Sequence, residues 1–471
     1  MAYKLLIDGK LTDGASTLDV IDPATGRVFE TCARADAAQL DAAVAAAKAA
    51  FPAWAARPHA ERRALLEKLA DAMEARQEEF CNLLTREQGK PTPQAQFEIG
   101  GSIAALRYFA AQELPLEILR ETAEEKILEQ RTPLGVIAAI TPWNFPVILL
   151  MLKLAPALAI GNTIVAKPAP STPLTTALLG ELAADILPRG VLNIIIDAND
   201  LGAALTDHVD VAKVSFTGST ATGKRVMASA AGTLKRLTLE LGGNDAAIIL
   251  DDADVKAVAP KVFDAAMINA GQVCLAVKRV YAPRAMIDEL CAEFARLGRA
   301  AVVDNGLNQG AQIGPVQNKQ QYDKVLTLIA EGKAQGTVVV GGEPMGRDGY
   351  FIAPTVIRDL PEDARLVREE QFGPVFPVLA YDSLDEVIDR ANDSEFGLGG
   401  TIWTSNPERG LQVATRIQSG TVWVNKHLDM PFDIPFGGAK QSGIGREQGV
   451  DGMKEFTQGK IINVAKVPLL T

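Results

Sequence analysis

Basic residues, paired cysteines, histidines and uninterrupted apolar runs are what this chain of 471 residues has least of. Acidic side chains outnumber basic ones, 58 to 47, for a net charge of -11. That is the wrong sign for binding nucleic acid by counterion release, so no nucleic-acid partner is expected. The four cysteines, Cys32, Cys81, Cys274 and Cys291, are scattered without a CxxC pair. Neither a disulfide framework nor a metal site is expected, and a reducing compartment fits. Three histidines, His59, His208 and His427, offer no evident Cys–His dyad. A reactive cysteine here needs a carboxylate as its base. The uncharged stretch 132–152 is broken by Pro133, Pro142, Asn144 and Pro146, which reads as two buried elements joined by a functional turn, with no membrane partner. Asp8 and Gly9 arrive before a signal-peptide core could form, so a cytoplasmic location is expected.

What is present is the composition of an ordinary globular protein, 48% hydrophobic and 22% charged, long enough for two or three domains. Asp36 and Gln39 form a capping-box signature before helically spaced Leu40, Val44, Ala47 and Phe51. One longer helix is expected over 60–86, ended by Gly89, and this N-terminal third reads as scaffold without chemistry. From Gly135 short apolar runs at 136–140, 163–166, 191–196, 211–216 and 237–241 alternate with helical segments. The helices are expected from Ser171-Thr172-Pro173 to about 187, after an Asp200 cap, and over 219–230. The pattern predicts a doubly wound parallel sheet with ligands at the carboxyl ends of its strands. A second α/β alternation follows, with strands expected at 246–250, 279–281, 337–340, 375–379, 401–403 and 421–424. Segments 117–131 and 460–467 fit neither core and read as peripheral strands able to pair between subunits.

Five residues or motifs carry possible chemistry, each with a structural alternative. Gly218-Ser219-Thr220-Ala221-Thr222-Gly223-Lys224 puts a helix N-terminus where a phosphate can sit, or serves only as a tight turn. Arg225 replaces the hydroxyl residue that would hold magnesium in a nucleoside-triphosphate loop, which argues against kinase chemistry. Cys274, after Gly271-Gln272-Val273, is a nucleophile or a buried hydrophobe. Glu240, an acid in an apolar strand, is a general base or a paired carboxylate. Asn144, in a proline-bracketed turn, is an oxyanion donor or a turn residue bonding its own backbone. Lys167 lies where such a sheet meets its ligand, or is a solvated lysine.

Taken together, these segments resemble the aldehyde dehydrogenase superfamily in order along nearly the whole chain. The resemblance rests on Pro142-Trp143-Asn144-Phe145-Pro146, Lys167-Pro168, Phe216-Thr217-Gly218-Ser219-Thr220, Glu240-Leu241-Gly242-Gly243, Gly271-Gln272-Val273-Cys274, Glu370-Gln371-Phe372-Gly373-Pro374 and Pro435-Phe436-Gly437-Gly438. It implies a doubly wound Rossmann-like cofactor domain (1–116 and 132–242), a second α/β catalytic domain (243–440) and a small β oligomerisation arm (117–131 and 441–471). It implies oxidation of a small-molecule aldehyde to an acid with NAD or NADP. Cys274 would be the nucleophile, Glu240 the base and Asn144 the oxyanion donor. Lys167, Trp143, Gly218, Ser219, Glu370 and Phe372 would hold the cofactor. Phe145, Leu149, Leu152, Val273, Leu275 and Met430 would line an apolar substrate funnel. A homodimer or homotetramer is implied as well.

Two departures from the family pattern stand out. Pro170 occupies the place where many NAD-preferring relatives carry a glutamate, so use of both NAD and NADP is expected. Asp197-Ala198-Asn199-Asp200 replaces a frequent Pro-Gly-x-Gly turn, bringing an acid to the adenine side. Lys426 and His427, expected at the pocket mouth, are read as exposed or packed in an interface; if either binds an anionic tail, a semialdehyde becomes the substrate. A cysteine hydrolase or thioesterase using Cys274 and Glu240, and a catalytically silent protein, are the rival readings.

Overall fold

The computed structural model describes residues 3–466. Five parallel strands form the centre of the first sheet: β1 (Val136–Ile140), β2 (Thr163–Lys167), β3 (Leu192–Ile194), β4 (Val211–Thr217) and β5 (Arg236–Glu240). Every residue of β1 and β2 is buried, as unbroken apolar runs covered on both faces require. Their spatial order is β3-β2-β1-β4-β5, the Rossmann arrangement, and it reverses between β1 and β4. A ligand crevice therefore opens where β1 runs into Pro142 and β4 into Gly218.

Helices α1 (Pro146–Ile160), α2 (Leu174–Ile186) and α3 (Thr220–Ala230) connect these strands. The capping box at Asp36 and Gln39 is formed, and Gly89 ends its helix with φ 98°. The helix expected over 60–86 is instead two, His59–Ala75 and Gln77–Gln88. They break at Arg76, whose guanidinium turns to the Glu79 carboxylate at 2.7 and 2.8 Å. Asp200 does not cap the helix Gly202–Asp207. It pairs with Arg34 at 2.7 Å, and the buried Asp197 accepts from Leu201 N at 2.8 Å.

The second sheet comprises β6 (Asp245–Ile249), β7 (Val277–Pro283), β8 (Thr337–Val340), β9 (Thr355–Arg358), β10 (Val375–Tyr381), β11 (Gly399–Trp403) and β12 (Thr421–Val424). Their order is β8-β9-β10-β7-β6-β11-β12, with only β8 antiparallel. Helix α4 (Val255–Met267) leads from β6 toward Cys274.

Strands Glu117–Glu121, Glu125–Pro133 and Thr457–Ala465 make a separate antiparallel sheet that exposes Ile118, Leu119 and Ile461. Gly443–Ile444 pairs antiparallel with β5, so this stretch extends the cofactor sheet before the chain enters the arm. Residues 467–471 of the expected arm lie outside the described residues. No helix among the described residues is long and apolar enough to cross a membrane.

Candidate active site

The turn after β1 is fixed from a distance. Lys90 and Glu98, both fully buried, form an ion pair of 2.5 Å. Lys90 also donates to Asn144 O at 2.9 Å, and its Nζ lies 3.7 Å from the Phe145 ring centroid. Glu98 accepts from the first-turn amides of α1, Val147 N at 2.9 Å and Ile148 N at 3.3 Å, favourable for a carboxylate at a helix N-terminus. The N-terminal third therefore orients Asn144, correcting its reading as scaffold without a part in the site.

The cysteine loop is built on an unusual backbone. After α4, Asn269, Ala270 and Gly271 take left-handed φ of 51°, 55° and 71°. A Cβ on Gly271 would meet Gly373 O at 2.1 Å, so only glycine fits. Asn269 Nδ2 donates to Asn144 O at 2.9 Å, and Asn144 Nδ2 donates to Gln272 O at 2.9 Å. These bonds lock the Asn144 turn to the loop that carries Cys274. One N–H of the Asn144 amide is thereby occupied, leaving the second for another acceptor.

Cys274 is half-buried. Burial pushes its thiol up to about 12, with Lys278 opposing and Glu370, Asp245 and Glu240 adding to the rise. Cys32, Cys81 and Cys291 are buried, with burial pushing their thiols up to about 12, 11 and 11, and none of them lines the cleft.

Glu240 ends β5 beside Thr217. Its side chain is buried, and neither carboxylate oxygen has a hydrogen-bond partner among the described residues. Burial, then repulsion from Glu447, holds its pKa well above the usual carboxylate value, against the pull of Lys153 and Arg446. Glu447 is paired with Lys153, whose Nζ also donates to Thr217 Oγ1 at 2.7 Å.

A cleft of about 190 Å³ lies at the switch point. It brings together Trp143, Asn144, Leu149, Gly218, Ser219, Cys274, Glu370 and Phe372 from the sequence reading. Trp143 and Phe372 meet edge to face, centroids 5.4 Å apart. Ser219 caps α3, and Glu370 Oε1 accepts from Gly243 N at 2.9 Å. Two lining residues escaped the sequence reading. Gln321 Nε2 donates to Gln371 O and Phe372 O at 2.8 and 2.9 Å, and Lys324 Nζ donates to Glu370 O at 2.7 Å. Both lie on the helix Lys319–Gln335, where nothing in the local sequence marks them.

Lys167, at the end of β2, is buried in an ion pair with Asp197 of 2.6 Å. Val273 and Leu275 form an apolar cluster with Leu398 and Trp423, against which Phe145 and Cys274 pack. Leu152 instead lies in the core of the first domain, and Met430 is exposed. Lys426 is exposed and pairs with Asp429 at 2.5 Å. His427 is half-buried rather than solvent-exposed. Its Nε2–H donates to Leu275 O at 2.5 Å, its ring packs 4.7 Å from Trp423, and burial pushes its pKa down to about 4.

This donor set suits a dinucleotide: a helix N-terminus behind Gly218 and Ser219, the Glu370 carboxylate, and a wall made by the touching Trp143 and Phe372 rings, with Lys167 at the end of β2 outside the cleft lining. A Cβ on Gly242 would sit 2.6 Å from Glu370 Oε2, so glycine lets the backbone approach that carboxylate closely.

Comparison with known proteins agrees. The family model described as the aldehyde dehydrogenase family matches residues 11–462. A mitochondrial aldehyde dehydrogenase from Leishmania tarentolae is 40% identical over 98% of this chain and 95% of its own. A 2-aminomuconic semialdehyde dehydrogenase from Bos taurus is 36% identical over 97% of each. The NAD+ complex of an aldehyde dehydrogenase from Bacillus cereus superposes with a TM-score of 0.96 at 37% identity, covering 99% of this chain and 97% of that one.

Proposed function

The chain belongs to the aldehyde dehydrogenase family, and from that premise we propose that it oxidises a largely apolar or aromatic aldehyde through a thiohemiacetal and a thioester on Cys274. The observation that carries the reading is the single cleft lined by Cys274, Asn144 and the touching Trp143 and Phe372 rings.

Glu240, with its raised proton affinity, accepts the Cys274 proton. The sulfur then bonds to the aldehyde carbon, and the carbonyl electron pair moves to oxygen. The free N–H of the Asn144 amide and the Cys274 backbone N–H hold that oxyanion. When bound, the nicotinamide group supplies a cationic hydride acceptor. As the oxyanion re-forms its carbonyl, the carbon loses hydride and a thioester remains on Cys274. Glu240 passes the Cys274 proton to solvent and, ionised again, takes a proton from water, whose oxygen attacks the thioester. The carboxylic acid departs as the sulfur leaves, and Glu240 returns its proton to that sulfur to restore the thiol.

Lys167 and Glu370 would hold the riboses, with Gly218 and Ser219 facing the phosphates. The Asp197 carboxylate against Lys167 favours a free ribose hydroxyl over a 2′-phosphate, so NAD is the preferred cofactor with NADP still used. The apolar preference follows from the cluster around Cys274, with Lys426 already paired and His427 neutral. An anionic tail there would lose hydration without a cation to replace it, at a cost of about several kcal/mol. The exposed apolar side chains of the three-stranded sheet support a homo-oligomer.

Formation of reduced nicotinamide tests the reading, with kcat/KM compared for hexanal, benzaldehyde and succinic semialdehyde. The apolar aldehydes are expected to win; a clear advantage for the semialdehyde would overturn the substrate class. Ester cleavage without any reduced nicotinamide would favour the hydrolase.

A further inference from the structure

Lys278, on β7, is 2% exposed, yet it lies outside every motif that marks the site. Its ammonium group donates to Cys274 O at 2.6 Å, Val273 O at 2.7 Å and Ala276 O at 3.4 Å, one carbonyl for each N–H. Glu370 Oε1 stands 3.9 Å away. A peptide unit is planar and trans, so its C=O and N–H point in opposite directions. Holding the Val273 carbonyl therefore aims the Cys274 N–H away from Lys278, and no hydrogen bond occupies that N–H among the described residues.

We propose that Lys278 is a positioning residue for the reaction. By gripping the carbonyl oxygens of the cysteine loop it orients the Val273–Cys274 peptide unit toward the oxyanion, and it sets a buried positive charge behind the Cys274 thiol. The idea rests on Cys274 being the nucleophile. Glu370, Asp245 and Glu240 all raise the proton affinity of the thiol, and Lys278 is the group that opposes them. His427, also near Lys278, is held neutral and adds no charge.

The test uses Lys278→Gln, which keeps a hydrogen-bond donor without charge, and Lys278→Arg, which keeps the charge. Alkylation of Cys274 is followed by peptide mass spectrometry with iodoacetamide, which is neutral, and iodoacetate, which is anionic. The ratio of the two rates reports the local charge and is independent of enzyme concentration, and it is read on preparations whose unfolding transition shows them to be folded. Lys278→Gln is expected to lower the iodoacetate-to-iodoacetamide ratio about tenfold, and Lys278→Arg to keep it within about threefold of the parent. In the same variants kcat should fall more than KM changes for Lys278→Gln and recover for Lys278→Arg. A Lys278→Gln ratio equal to the parent's, or a Lys278→Arg ratio as low as that of Lys278→Gln, would overturn the proposal. Because alkylation is read at the thiol, its loss of turnover in the parent enzyme tests Cys274 itself separately.

Discussion

Replacing Glu98 with leucine removes the one carboxylate that joins Lys90 to the start of α1. Lys90 would then sit fully buried with Asn144 O as its remaining hydrogen-bond partner, and Val147 N and Ile148 N would lose their acceptor. Breaking a buried pair by deleting one partner costs about 3–5 kcal/mol, the lost amide bonds being part of that figure. In Lys90→Met/Glu98→Leu the stranded cation is gone, and only the two amides stay unsatisfied, for a residual cost of about 1–3 kcal/mol. The double variant should therefore be more stable than Glu98→Leu alone. Equilibrium urea unfolding followed by tryptophan fluorescence measures both, since Trp54 is buried in the same domain. Turnover should also fall toward the loss of about a hundredfold or more expected when an oxyanion donor is misplaced, because Asn144 loses its support. A loss below about 1 kcal/mol in Glu98→Leu, or a double variant as unstable as the sum of the singles, would refute the view that this pair holds the site.

Two further outcomes are expected. Asp197→Asn should free the Lys167 charge and raise the NADP-to-NAD ratio of kcat/KM by about tenfold; an unchanged ratio would separate Asp197 from cofactor choice. His427 has a pKa pushed down from 6.5 to about 4, so the unfolded chain takes its proton below pH 6.5 while the folded chain refuses it. Stability should fall by up to about 3 kcal/mol as pH drops through that window, and His427→Phe should flatten this part of the pH–stability curve. An identical acid limb in the variant would contradict the neutral, buried assignment.

What was legible in the sequence was local or repetitive. The Asp36 capping box, the Gly89 stop and the apolar runs of β1 to β5 are patterns that a few neighbouring residues write by themselves. The break at Arg76 was hidden because the apolar stripe from Met73 to Phe80 continues across it, while the guanidinium that accompanies the break answers to Glu79 and Glu181. Strand β9 was missed because Thr355–Arg358 is short and lies between Pro354 and Pro361. Within the site, Cys274, Asn144, Glu240 and the cofactor-cleft residues stood in recognisable motifs. Lys90, Glu98, Gln321, Lys324 and Lys278 did not. Each bonds to groups in the site largely through contacts that folding alone creates, and in sequence each looks like an ordinary solvent-facing polar residue. Leu152 and Met430, expected to line the funnel, stand in the first core and at the surface, and apolar character alone does not say which of these a side chain faces.

The central claim is that Cys274 carries the acyl group and Glu240 lets water remove it. Glu240→Gln, mixed rapidly with hexanal and NAD+, separates the two halves, because the thiolate forms without Glu240 at raised pH whereas deacylation needs a base. Acid quenching followed by peptide mass spectrometry then shows where the acyl group resides. The account predicts a burst of reduced nicotinamide approaching one equivalent per subunit, slow turnover after it, and a hexanoyl group on the peptide containing Cys274. Absence of a burst together with an unmodified Cys274 peptide would contradict it.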